Sequence, residues 1–127
     1  MGPVSDMFIR IKNANRAGHE TVYIPYSRFK LDIAKALAGA GFVGAVEVKG
    51  KRVRKTIEIS LQYRDDEPMI RGVTLLSKPS RRLYTPYKKI MPSAHRGVVL
   101  LTTPKGIMTG ETARKEKVGG QLIAEIW

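Results

Sequence analysis

Val98-Val99-Leu100-Leu101 runs straight into Thr102-Thr103-Pro104-Lys105-Gly106-Ile107-Met108-Thr109. Beyond Ala113-Arg114-Lys115 come Gly119-Gly120 and a last apolar stretch, Gln121 to Trp127. The short apolar runs predict two strands, Gly97 to Thr103 and Gln121 to Trp127. Thr109 is a candidate N-cap for a short helix over Glu111 to Lys115. The expected order is therefore strand, polar loop, short helix, strand. The segment offers hydroxyls, bare backbone and cations, with neither a nucleophile paired to a base nor metal ligands. Such a set of groups holds a polyanion and breaks no bonds.

Upstream of it, Ile70 to Leu76 and Leu83-Tyr84 predict further strands on either side of a basic loop, Ser77-Lys78-Pro79-Ser80-Arg81-Arg82. Prolines at 86 and 92 restrict Thr85 to Ala94 to a turn or short helix. The first half mixes helix and strand. Val4, Met7, Phe8, Ile11 and Ala14 recur at helical spacing behind Pro3. Thr21 to Ile24 predicts a strand stopped by Pro25. Ser27 caps a helix carrying Leu31, Ile33, Ala34, Leu37 and Ala38, which ends at Gly39 and Gly41. Val46 to Val48, a turn at Gly50-Lys51, and Val53 to Tyr63 predict a hairpin. Its second strand places Val53, Ile57, Ile59, Leu61 and Tyr63 on one face. Asp65-Asp66-Glu67-Pro68 reads as a polar linker, dividing an N-terminal subdomain (1–66) from a C-terminal one (67–127).

The composition narrows the function. With 127 residues, 43% of them hydrophobic, the chain can bury a core unaided. Cysteine is absent, which removes disulfides and thiolate metal sites. No apolar stretch is long enough for a membrane-spanning helix, and the start of the chain lacks a signal-peptide pattern. The 23 Lys and Arg outnumber 11 Asp and Glu, for a formal charge of +12. Twelve basic and 7 acidic residues precede Glu67, and 11 and 4 follow from it onward, so the excess is not a basic tail. A domain basic throughout is expected to meet nucleic acid, with an anionic membrane surface as the second reading. His19 and His95 lie in no metal-ligand spacing, and no phosphate-binding loop, dinucleotide fingerprint or His-Glu-x-x-His occurs. No enzyme, cofactor or metal is expected.

Several residues are candidate nucleic-acid contacts. Arg81 and Arg82 can fork onto phosphate oxygens, Lys78 adds charge, and Pro79 limits the ordering entropy of the loop. Tyr84 can stack on a base or sugar, or else be a core aromatic with its hydroxyl at the rim. Thr102, Thr103 and Thr109 can bond phosphates, 2′-hydroxyls and base edges, Lys105 supplies a cation, and Gly106 permits close backbone approach. The same pattern also fits an ordinary turn. Lys51, Arg52, Arg54 and Lys55 are either edge protection or a phosphate clamp. Arg10, Lys12, Asn13 and Arg16 leave the apolar stripe of the first helix, as a solvated face or a face laid on phosphate.

Taken together, these segments resemble one family. Ser77-Lys78-Pro79-x-Arg81-Arg82-x-Tyr84, Thr102-Thr103-x-Lys105-Gly106-x-Met108-Thr109, Ala113-Arg114 and Val118-Gly119-Gly120 keep the order and approximate spacing of bacterial ribosomal small-subunit protein eight. The opening Asp6-Met7 and Arg10-Ile11-x-Asn13-Ala14 is also similar to that family's, so the likeness spans the chain. It implies an α/β protein of the α+β type in two small subdomains. The N-terminal one would pack two helices on a three-stranded sheet; the C-terminal one would be mainly antiparallel β with short helices. It implies a structural constituent of the small ribosomal subunit, cytoplasmic, that binds the central domain of small-subunit ribosomal RNA and helps assemble the platform. Partners would be neighbouring small-subunit proteins and, through repression, its own operon messenger RNA. Residue by residue, the resemblance carries RNA contact to Thr102, Thr103, Lys105, Gly106, Thr109 and Tyr84; Lys78, Arg81, Arg82, Arg54, Lys55, Arg10 and Asn13 join on electrostatic grounds. Pro104, Gln121 and Ser80 stand where the family pattern has Ser, Glu and Gly. A translational regulator that never enters a ribosome is the nearest rival, and an RNA-processing enzyme is the rival of another class.

Overall fold

The computed structural model describes residues 2–127, which form an α+β fold in two compact units that divide between Arg71 and Gly72. In the first unit helix α1 (Pro3–Arg16) starts on a proline whose missing N–H costs nothing there. Of the stripe expected from spacing it buries Met7, Phe8, Ile11 and Ala14, while Val4 is half-buried. Strand β1 (Thr21–Pro25) leads to α2 (Arg28–Gly39), where the Ser27 hydroxyl accepts from the Lys30 N–H at 3.1 Å. Leu31, Ile33, Ala34 and Leu37 face inward. Strands β2 (Val43–Lys49) and β3 (Thr56–Leu61) complete an antiparallel sheet of order β1-β3-β2. Val22, Ile24, Val43, Ile57, Ile59 and Leu61 are buried on it.

Three expectations for this half are corrected. The second strand of the hairpin begins at Thr56 and not at Val53. Residues 52–54 are a 3₁₀ turn, and Val53 is 97% exposed. Gly50 has φ of +90°, and the Arg54 carbonyl occupies the space a Cβ would need there. The chain therefore folds back before the alternating apolar run at Ile57 can pair. Tyr63 also leaves the strand, starting β4 (Tyr63–Arg64), which pairs with β5 (Glu67–Pro68). The acidic run is not a linker: Asp65 and Asp66, at φ of 52° and 65°, form the tight turn of this small hairpin. Aspartate tolerates that left-handed geometry, and two positive φ values suit a two-residue hairpin turn.

Asn15 ties this hairpin to α1. It is fully buried; its Nδ2 donates to the Gln62 carbonyl at 3.1 Å and its Oδ1 accepts from the Ile70 N–H at 3.0 Å.

In the second unit only Val73–Leu75 (β6) of the expected Ile70–Leu76 strand is extended in a sheet. Ile70 belongs to the first unit, where Asn15 holds its N–H. Strand β7 (Tyr84–Thr85) follows the basic loop, and a 3₁₀ turn, Tyr87–Lys89, fits between the two prolines as expected. Strand β8 (Val98–Thr103), β9 (Gly106–Thr109), helix α3 (Gly110–Lys115) and β10 (Gly120–Ile126) close the unit. The sheet runs β6-β10-β8-β9, with β7 on β10. Its core packs Ile90, Leu101 and Ala113 with Tyr87, Met108, Val118 and Leu122.

Candidate nucleic-acid interface

The stretch from Thr102 to Thr109 is a hairpin, not a loop before a helix. Thr102 pairs with Ile107 and Thr103 with Gly106, leaving Pro104-Lys105 at the tip. Strand β9 escapes the sequence pattern because Gly106-Ile107-Met108-Thr109 is too short to show an alternation. The Thr103 hydroxyl is spent on this tip: it accepts from the Lys105 N–H at 3.1 Å and donates to the Gly106 carbonyl at 2.8 Å. Gly106 has φ of +113° with open space around its absent Cβ, so it serves the turn geometry here. The Thr109 hydroxyl accepts from the Thr112 N–H at 3.3 Å, capping α3 as expected.

Pairing of β10 then assembles residues far apart in sequence. Gln121 lies directly opposite Tyr84 on β7 and opposite Thr102 on β8. Residues directly opposite in a ladder share a face, with Cβ atoms about 5 Å apart. Tyr84, Gln121 and Thr102 therefore form one row across three strands. Tyr84 is 69% exposed, which removes the core-aromatic reading. Among the described residues neither the Thr102 hydroxyl nor the Gln121 amide bonds to another protein group. Gly119 and Gly120 make this row possible. A Cβ on Gly119 would strike the Thr85 carbonyl, and one on Gly120 the Thr102 carbonyl. Sequence reasoning singled out Gln121 only as a departure from a pattern; its pairing register could have found it, but register is not local.

The basic loop before Tyr84 is an ordered turn. Lys78 and Arg81 exchange two backbone hydrogen bonds, at 2.8 and 2.9 Å, around Pro79-Ser80. Ser80 has no positive φ, so the turn closes without the glycine of the family pattern. The Ser77 hydroxyl accepts from the Leu83 N–H at 2.9 Å and sets the angle at which the chain enters β7. Lys78, Arg81 and Arg82 are exposed and pair with no carboxylate among the described residues.

Lys55, Arg54, Arg10 and Asn13 belong to the first unit. Lys55 and Arg54 are exposed, with the Lys55 ammonium 5.4 Å from the centre of the Tyr26 ring. Arg10 is committed internally, donating to Asp6 and to the Tyr23 carbonyl, both at 3.3 Å. The Asn13 side chain is exposed. His95 is exposed but engaged: its ring stacks on Trp127 at 3.8 Å, and its Nδ1 lies 3.3 Å from Glu125. Hydrogen bonds from the Ser93 hydroxyl and from His95 hold the buried Glu125 carboxyl below its ordinary range, against the effect of burial.

Two basic units of mixed helix and sheet, one bearing unpartnered polar groups beside an exposed tyrosine, make a small, basic α+β protein. The family model described as Ribosomal protein S8 matches residues 2–127. A small ribosomal subunit protein uS8 from Mycoplasmopsis agalactiae is 40% identical over 126 residues, covering 98% of this chain and 96% of its own. Its counterpart from Dictyoglomus turgidum is also 40% identical over 126 residues, with the same coverage. That from Clavibacter michiganensis is 39% identical over 127 residues, again covering 98% and 96%. The chain belongs to the ribosomal protein S8 family. Its role is therefore structural, in the small ribosomal subunit, and not enzymatic.

Proposed function

We propose that this protein binds the central domain of small-subunit ribosomal RNA directly and helps assemble the platform. The reading is carried by one observation: Tyr84, Gln121 and Thr102 stand in one row with the hydroxyl and the amide unpartnered. A regular A-form major groove is too narrow to read, so such a row addresses a distorted, partly unpaired helix. Tyr84 would stack on an unpaired base, while Thr102 and Gln121 meet base edges or 2′-hydroxyls. Gln121 both donates and accepts, whereas a glutamate there would only accept and would repel phosphate. Lys78, Arg81, Arg82 and Lys105 would neutralise flanking phosphates, with Arg54, Lys55 and Asn13 adding contacts from the first unit. Thr103, Gly106 and Thr109 shape the hairpin and helix that present the row. Neighbouring small-subunit proteins are partners in the particle, and an operon messenger that mimics the RNA site would be repressed by the same surface.

The test compares a central-domain RNA fragment with a scrambled fragment of equal length at about 0.15 M salt. A preference of at least about 1,000-fold is expected, as for specific against non-specific nucleic-acid binding. Equal affinity for the two would sink the reading. Neutralising about six phosphates should give a log–log salt slope of about −4 to −5.

A further inference from the structure

Ala113-Arg114 belongs to the family pattern but stands outside the row of Tyr84, Gln121 and Thr102. Ala113 is fully buried with Ile90 and Leu101 in the core of the second unit. Arg114, in the last turn of α3, pairs with no carboxylate among the described residues. Its Nη2 instead donates to the Ile90 carbonyl at 2.6 Å. Fixing so long a side chain costs conformational entropy, and a charge-assisted bond is strong enough to offset it. Ile90 ends the 3₁₀ turn Tyr87–Lys89, so the bond ties that turn to α3. The tie bears on what lies upstream. Strand β7 is two residues long and pairs with β10 alone, which sets its direction weakly. Its entry is held by the Ser77 hydroxyl on the Leu83 N–H. Its exit passes over Gly119, where a Cβ would strike the Thr85 carbonyl and the Pro86 Cα. Pro86 fixes its own φ, and the Lys89 N–H closes the turn on the Pro86 carbonyl at 3.0 Å. A stiff segment of this kind passes a displacement at Ile90 on to Tyr84.

We propose that Arg114 is a positioning residue: it anchors the Tyr87–Ile90 segment to α3 and so holds Tyr84 in its row, without meeting the RNA itself. The inference rests on the reading of Tyr84 as the residue that stacks on a base. Arg114 is exposed along much of its length, and an exposed arginine also suits a direct phosphate contact. The bond to the Ile90 carbonyl favours the anchor, and the phosphate contact is an outcome of the test.

The experiment uses the full chain and has two arms. In the first, nitrogen-15 relaxation of the free protein reads the backbone order of Tyr84 and Thr85. Arg114→Ala should lower their order parameters from about 0.85 to below about 0.6 and leave Val99 to Leu101 rigid. In the second, Arg114→Ala is measured with Tyr84 intact and in the Tyr84→Ala background. It should weaken the central-domain fragment about fivefold with the ring present and less than about twofold without it, as coupled neighbours do. The scrambled fragment should change less than about twofold in either background. Arg114→Lys keeps the charge, but its ammonium stops a bond short of the Nη2 position. It should therefore fall with the alanine variant, and it carries the same comparisons where Arg114→Ala fails to fold. Unchanged order at Tyr84, equal losses in both backgrounds, or full affinity in the lysine variant would each overturn the proposal. A phosphate contact would instead weaken real and scrambled fragments alike and make the log–log salt slope shallower by about one. The relaxation arm needs no RNA. If the unaltered protein binds both fragments equally, the reading of the row fails while the anchoring of Tyr84 is still decided.

Discussion

Gln121 sits directly opposite Thr102 in the antiparallel pairing of β10 with β8, and neither side chain bonds to another protein group. One residue further on, Thr103 has its hydroxyl locked twice into the hairpin tip. Two adjacent threonines of identical chemistry are thus given different work by their register.

Thr102→Ala should weaken the central-domain fragment by about 1–2 kcal/mol and leave the melting temperature almost unchanged, since it removes a free hydroxyl. Thr103→Ala should do the reverse, lowering stability by about 0.5–1.5 kcal/mol through loss of the tip bonds. Filter binding and thermal melting of both variants check the split. Equal RNA losses from the two would defeat the assignment.

Tyr84→Ala should cost about 1–3 kcal/mol of affinity for the fragment, the usual range for base stacking, and much less for a random duplex. Because the ring is largely exposed, stability should move by less than about 0.5 kcal/mol. Parallel titrations of the two RNAs decide it.

Asn15→Ala strips the partners from the Ile70 N–H and the Gln62 carbonyl together. Leaving such groups without a partner costs about 1–3 kcal/mol each. Chemical denaturation should show a loss of about 2–4 kcal/mol, and hydrogen exchange should show the Ile70 amide opening early.

The Glu125 carboxyl is held below its ordinary range by Ser93 and His95. Its folded pKa is the depressed one, so its contribution is fully present above the unfolded carboxylate value of about 4.3 and is lost as pH falls through the folded value. Melting temperature should therefore decline as pH is lowered below about 4. Glu125→Gln should flatten that part of the profile, and a parallel decline in both proteins would remove Glu125 as its source.

Much of the framework was legible in local chemistry. Pro3, the stripe Met7 to Ala14, and the Ser27 cap act within a few residues, and each stands where periodicity and capping require. Thr109 capped its helix for the same reason. The misreadings share a cause. Val53 matched the apolar alternation of β3 but was diverted by the backbone turn at Gly50, and Asp65-Asp66 looked like a linker because a hairpin turn has the same polar composition. Strand β9 and the inward bonds of Asn15 depend on partners that composition does not reveal.

By itself the chain determined its charge, its lack of cysteine, its helices and their caps, and a set of motifs specific enough to mark its family, because all of these are properties of single residues or near neighbours. Only the tertiary structure decided which of those residues stand together. The row Tyr84–Gln121–Thr102 exists through strand pairing across long sequence separations. A one-residue slip of β10 would have turned Gln121 to the face opposite Tyr84 and Thr102.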